Sequence, residues 1–236
     1  MAIEDFIRAI PKVELRVRLE GVFRKDTLML IAEQNDVPSS MKKFENWVAL
    51  LDNPDYQRLE ETIQTIGEWS QHPDDLTRLV YDLGVILARQ NIKYAEVIVD
   101  PLLHMQPMMS FDKFMDTLND GRDRAERGWK IKLRWILNIR RDQPRRADEI
   151  VRWAASSAGT KGGVVAVVLS GDETAQPVGQ FVRPFTTAHK KNVARVAYVG
   201  DQKQSETIPD VVDELQPNRL LDARGIEDSP EALTLL

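Results

Sequence analysis

Residues 13–21, VELRVRLEG, place Glu14, Arg16, Arg18 and Glu20 at alternate positions of a short apolar run that ends on a glycine. Side chains alternate across a strand, so these four share one face while Val13, Leu15 and Val17 share the other. The pattern predicts a core face and a polar site on one strand. Guanidinium is always protonated and has no lone pair, so Arg16 and Arg18 can pair with carboxylates but cannot ligate a metal. Ligating residues are sparse elsewhere: there is no cysteine, and the three histidines, His72, His104 and His189, lie far apart in the chain. His104 reads as a satisfied loop histidine at the end of the second strand, and His72 and His189 as surface residues.

The strands that must position such groups are legible as apolar runs. After 13–18 come YAEVIVD at 94–100, IKLRWILNI at 131–139, GVVAVVLSGDE at 163–173, VARVAYVGD at 193–201 and NRLLDARG at 218–225. Helical patterns separate them, including 110–128 with Ser110 as N-cap, 145–156, and two later segments with proline at their starts. About six strands alternating with helices imply an α/β fold with a parallel sheet. The first gap differs, since residues 22–92 hold three helical patterns, the last broken near His72-Pro73. A helical insertion there either covers a site at the C-terminal ends of the strands or packs on the sheet. SSAGTKGG at 156–163 reads as a flexible turn and RRDQPRR at 140–146 as a solvated one, and residues 1–236 are read as a single domain.

Composition excludes some functions. With 32 Lys+Arg against 37 Asp+Glu the net charge is −5, so no basic field for nucleic acid or an anionic membrane is indicated. No run approaches the length that spans a bilayer, and the opening MAIEDFIRAIPKVEL lacks a basic segment followed by an apolar core. A cytoplasmic protein is expected.

The apolar blocks resemble, in order and in register, the adenosine/adenine deaminase family. IPKVELRVRLEG is similar to the family opening PKVELHxHLDG or HLEG, with both histidines replaced by arginine. YAEVIVDPLLH resembles YAEVRFSPxLH, VVAVVLSGDE resembles VVGIDLAGDE, AYVGD resembles THAGE, and NRLLDARGIEDSPEALTLL resembles RIGHGxxxxxDPELLxLL. The resemblance covers essentially the whole chain. It implies a (β/α)8 TIM-type barrel of the metallo-dependent hydrolase superfamily, incomplete here at about six strands and open at the edges of strands one and six. Family members replace a purine amino group by attack of a metal-activated hydroxide, which needs a Lewis acid, a base to orient water and an acid to protonate a ring nitrogen.

Carried over residue by residue, the resemblance places Arg16 and Arg18 where the family has two zinc-binding histidines, and Tyr198 where it has a third. Asp201 falls on the carboxylate acid and Asp222 on the histidine that orients water, while the family's eighth-strand aspartate would lie beyond Leu236. Zinc is expected for the family, yet its ligands are absent, so no cofactor and no intact catalytic residue are expected. Glu20 and Gly171 keep substrate-binding positions, with Asp172 and Glu173 completing the block of Gly171, although Val168 stands where the family has aspartate. Arg16 and Arg18 are expected to pair with Asp201 or Asp222 where zinc would sit.

A degenerate, non-catalytic member follows as the expectation: a purine- or nucleoside-binding protein, an interaction protein or a truncated relic, with self-association through open sheet edges. The alternative is an active adenosine or adenine deaminase whose metal site is completed by unrecognised or partner-chain residues.

Overall fold

The computed structural model describes residues 3–41, 44–53, 55, 58–200, 207–228 and 230–235. Among them, six runs rich in β-branched and aliphatic residues form strands: β1 (Lys12–Arg18), β2 (Ile92–Val99), β3 (Lys132–Arg140), β4 (Val164–Ser170), β5 (Ala194–Val199) and β6 (Arg219–Asp222). Their order in the sheet is sequential, β1 to β6, and β1–β2, β3–β4, β4–β5 and β5–β6 pair in parallel. Parallel neighbours need crossovers, which the intervening helices supply. This is the winding of a (β/α)8 barrel carried through six strands, and the expected incomplete α/β barrel is what forms. Two compact units divide the chain, Met1–Arg134 and Trp135–Leu236.

In the first unit, the opening residues form α1 (Ile3–Ala9), whose apolar Ile3, Phe6 and Ile7 are all exposed. The chain then enters β1, where the expected alternation fails. Register with β2 slips between Glu14 and Val17, a bulge that breaks the two-residue period. Val17 is buried as expected, but Val13 is 61% and Leu15 38% exposed. Glu20 lies beyond the strand, in a 3-10 turn over Leu19–Gly21, and it points inward.

The insertion folds as α2 (Lys25–Gln34), α3 (Val37–Ser40), α4 (Phe44–Asp52), α5 (Leu59–Trp69) and α6 (Pro73–Arg89). Apolar residues at helical spacing on α2, α4, α5 and α6 meet in one cluster that includes Leu28, Ile31, Trp47, Ile66, Trp69 and Leu79. Trp47 and Trp69 pack within it at a tilt of 52°, with ring centroids 4.3 Å apart. The break at His72-Pro73 is a helix start: the His72 ring accepts a hydrogen bond from the Asp74 amide at 3.3 Å and Pro73 opens α6. After β2 come a single turn, α7 (Pro101–His104), and α8 (Phe111–Gly128), which Ser110 caps as expected by accepting from the Lys113 amide. A Cβ at Gly121 of α8 would stand 2.5 Å from the Thr77 carbonyl, so this glycine lets α8 lie directly on α6.

In the second unit, β4 is buried on both faces, as a nearly continuous run of valine demands. Helices α9 (Ala147–Ala154), α10 (Ser157–Gly162), α11 (Val182–Lys190), α12 (Thr207–Asp210) and α13 (Pro230–Leu235) follow. The expected flexible turn at 156–163 is in fact α10, because Ser156 caps it at the Gly159 amide and Gly163, at φ 92°, closes it.

Candidate functional site

Five side chains converge where β1 runs into its 3-10 turn. Glu20, 1% exposed, accepts at Oε1 from His104, whose Nε2 lies 2.7 Å away and whose side chain is fully buried. Its Oε2 faces Arg18 Nε at 3.4 Å, and the other end of that guanidinium reaches Glu60 of α5 at 3.7 Å. His104 Nδ1 lies 3.1 Å from Ser70 Oγ, at the C-terminal end of α5. Helix α7 is short because Asp100 caps it at the Leu102 amide and the chain turns out after His104. A Cβ at Gly67 would fall 2.1 Å from Leu103 Cγ, so only glycine allows α5 and α7 to approach closely enough for Ser70 to meet His104.

Burial alone would push the Glu20 carboxyl up, but the His104 hydrogen bond and charge, then Arg18 and a backbone amide, outweigh it and leave its pKa below the ordinary value. Glu20 is therefore a carboxylate at neutral pH. Serine, histidine and glutamate stand in series here, all three buried. Ser70 is buried, and its single hydroxyl proton faces the Ile66 carbonyl at 2.8 Å.

Within the second unit, the C-terminal ends of β3, β4 and β5 carry the remaining expected residues. Gly171 is exposed at φ +102°, and a Cβ there would meet only Arg141 backbone and Cβ at ordinary contact distance, so its backbone stands open to a ligand. Asp172 is held by the Thr174 amide at 2.9 Å and its hydroxyl at 2.8 Å, and these bonds lower its pKa. Glu173 accepts from Thr207 at 2.7 Å. Tyr198 lends its backbone: its carbonyl accepts from Arg141 Nη2 at 3.1 Å. Asp222 ends β6 opposite Val199 with φ 66°, a left-handed conformation that aspartate tolerates better than most residues. Asp201 lies outside the described residues.

Arg141 is a correction to the expected solvated turn. It is 1% exposed, and its backbone amide donates to the Ser170 carbonyl at 2.8 Å. Burial lowers its pKa, against the charges of Glu173 and Asp172. His104 is satisfied as expected, but it ends α7 instead of lying in a loop, and its partner is the buried carboxylate of Glu20. The PLLH end of the second strand block was the signal for it. Nothing in the sequence singled out Ser70 or Glu60. Arg18 pairs with Glu20 and Glu60 of its own unit, whereas the partners expected for it were Asp201, which lies outside the described residues, and Asp222. Among the described residues, no group of three or more His, Cys, Asp or Glu is placed to hold a metal ion, and no helix is long and apolar enough to cross a membrane.

With this geometry in hand, four likenesses are informative. The family model described as adenosine deaminase matches residues 11–231. An adenosine deaminase of Clostridium botulinum (strain 657 / Type Ba4) is 28% identical over 237 aligned residues, spanning 97% of this chain and 70% of that protein. Among solved structures, an amidohydrolase from Burkhoderia ambifaria with bound Zn overlays with TM-score 0.86 at 24% identity, covering 98% of this chain and 63% of that one. Arabidopsis ADAL complexed with IMP overlays with TM-score 0.83 at 21% identity, covering 98% of this chain and 69% of that one. The chain thus spans about two thirds of the length of the proteins it matches.

Proposed function

Because the chain belongs to the adenosine deaminase family, we propose that it is a purine-binding member that does not run the family's zinc chemistry. The observation that carries this reading is Arg18. At a position where the family resemblance calls for a zinc-binding histidine, a guanidinium is engaged by Glu20 at 3.4 Å and Glu60 at 3.7 Å. A fixed cation there repels a second one, and it has no lone pair to offer. Arg16 has the same chemistry, and Tyr198 offers a phenol, a poor zinc ligand at neutral pH. The donor set does not fit zinc, and no catalytic step is assigned to Asp201 or Asp222.

The ligand class is a purine, its nucleoside or nucleotide. Support comes from the family, from the structural neighbour that holds IMP, and from Gly171, whose exposed backbone at φ +102° leaves room for a flat ring. A cytoplasmic location and self-association complete the proposal. The latter is favoured by the exposed Ile3, Phe6, Ile7, Val13 and Leu15 beside the terminal strand β1.

The test is the melting temperature of the full chain with adenosine, adenine or IMP. A ligand that binds only the folded state raises it in proportion to the logarithm of its concentration. A concentration-dependent rise with any of the three supports the reading, and none at about millimolar ligand, or roughly −4 kcal/mol of affinity, contradicts it.

A further inference from the structure

The Arg141 side chain is among the largest that the protein buries completely, and it spans the C-terminal ends of three neighbouring strands. It follows the last residue of β3, its backbone amide donates to the Ser170 carbonyl that ends β4 at 2.8 Å, and its Nη2 donates to the Tyr198 carbonyl of β5 at 3.1 Å. One carbonyl does not balance a full charge. Among the described residues, Nε has no hydrogen-bond partner and no carboxylate stands within ion-pair reach of the guanidinium. A buried cation without an offsetting charge is strongly destabilising. The opposite charges that act on it are those of Glu173 and Asp172, in the loop after β4. Little water surrounds the guanidinium, so this attraction is weakly screened and acts beyond hydrogen-bond contact.

We infer that Arg141 is a positioning residue: it draws the Glu173 and Asp172 carboxylates toward the ends of β3, β4 and β5, and so seats the loop that offers the Gly171 backbone to a ligand. The stem of Arg141 lies against that glycine. A Cβ on Gly171 would stand 3.6 Å from the Arg141 amide nitrogen and 3.8 Å from its Cβ. The loop has ties of its own, since Asp172 Oδ1 accepts from the Thr174 amide and hydroxyl, the Asp172 carbonyl accepts from the Ala175 amide at 3.1 Å, and Glu173 Oε2 accepts from Thr207 of α12 at 2.7 Å. Those bonds fix the shape of the loop, and Arg141 fixes its seat on the sheet. Lifting the loop would strand the buried cation. The consequence for binding rests on the reading of Gly171 as a ligand contact, whereas the seating of the loop is a property of the unliganded chain.

The experiment is amide hydrogen exchange of the unliganded full-length chain, read at the Ala175 amide of the loop with the amides of β4 as reference. Arg141→Met keeps much of the apolar volume and removes the charge, and the loop amide is then expected to exchange about tenfold faster while β4 is unchanged. Arg141→Lys keeps the charge and is expected to stay close to the unmodified chain. Loop exchange unchanged in Arg141→Met, or as fast in Arg141→Lys as in Arg141→Met, would reduce Arg141 to packing and overturn the inference. Should Arg141→Met fail to fold, Glu173→Gln decides, with Thr207→Val as its control. Glu173→Gln removes the charge and keeps an acceptor for Thr207, whereas Thr207→Val removes the hydrogen bond and keeps the charge. A faster loop in Glu173→Gln than in Thr207→Val supports the inference, and equal rates overturn it. The melting shift with adenosine, adenine or IMP, measured on the same proteins, keeps the two readings apart: a loop seated by charge in a chain that none of the three stabilises upholds this inference and contradicts the purine reading.

Discussion

His104 Nε2 sits 2.7 Å from Glu20 Oε1 across 84 residues of sequence, and neither side chain reaches solvent. The pair ties the turn after β1 to the short helix after β2, and Arg18 extends the tie to the insertion through Glu60.

Removing one member of a buried pair strands the other. His104→Ala is expected to cost about 3 kcal/mol, because Glu20 keeps only the longer contact to Arg18. Urea unfolding should show a lower midpoint with an unchanged slope. The double variant Glu20→Met/His104→Leu, which buries no charge, is expected to be more stable than His104→Ala.

Stability should also depend on acid in a stated direction. The Glu20 carboxyl is depressed in the folded chain below its ordinary value. A depressed carboxyl contributes stability that is fully present above the unfolded value and is lost as pH falls through the folded one. Unfolding midpoints measured downward from about pH 6 are expected to fall less steeply below roughly pH 4.5 in Glu20→Gln than in the unmodified chain.

Arg18→Met tests the bridge. Arg18 is partly exposed, so its ion pairs with Glu20 and Glu60 are screened, and a loss of about 1 kcal/mol is expected at neutral pH. Its larger effect is on Glu20, whose acid limb should begin at higher pH once the guanidinium is gone. Salt should weaken the Glu60 half of the bridge first, since Glu60 is the more exposed partner.

Gly67→Ala is expected to destabilise by about 1–3 kcal/mol, because its Cβ would overlap Leu103 and push α7 away from α5. Gly67→Ala/Leu103→Ala should recover part of that loss, as neighbours that share a contact are coupled. Gly128→Ala is the control. A Cβ there meets nothing within 4 Å, so neutrality or a gain of a few tenths of a kcal/mol is expected at that helix end.

How far these relationships were legible in the sequence follows from their range. Local periodicity located six strands and the helices of the insertion, because alternation and helical spacing are carried by neighbouring residues. The bulge in β1 was not legible, since a register slip is a property of two strands, and it put Val13 and Leu15 in solvent against expectation. The charged tip of that strand was visible as Arg16, Arg18 and Glu20. Its partners were not: Ser70, Glu60 and His104 reach it only through the packing of α5 and α7, which Gly67 permits. RRDQPRR misled for a related reason, since a run of charge reads as solvated while Arg141 within it is covered by residues far along the chain.

The central claim is most directly tested by ammonia release from adenosine and adenine with zinc in excess, on protein shown by cooperative melting to be folded. No release above the protein-free rate is expected. Release that a chelator abolishes would contradict the account, and would mean that metal is held by ligands other than Arg16, Arg18 and Tyr198.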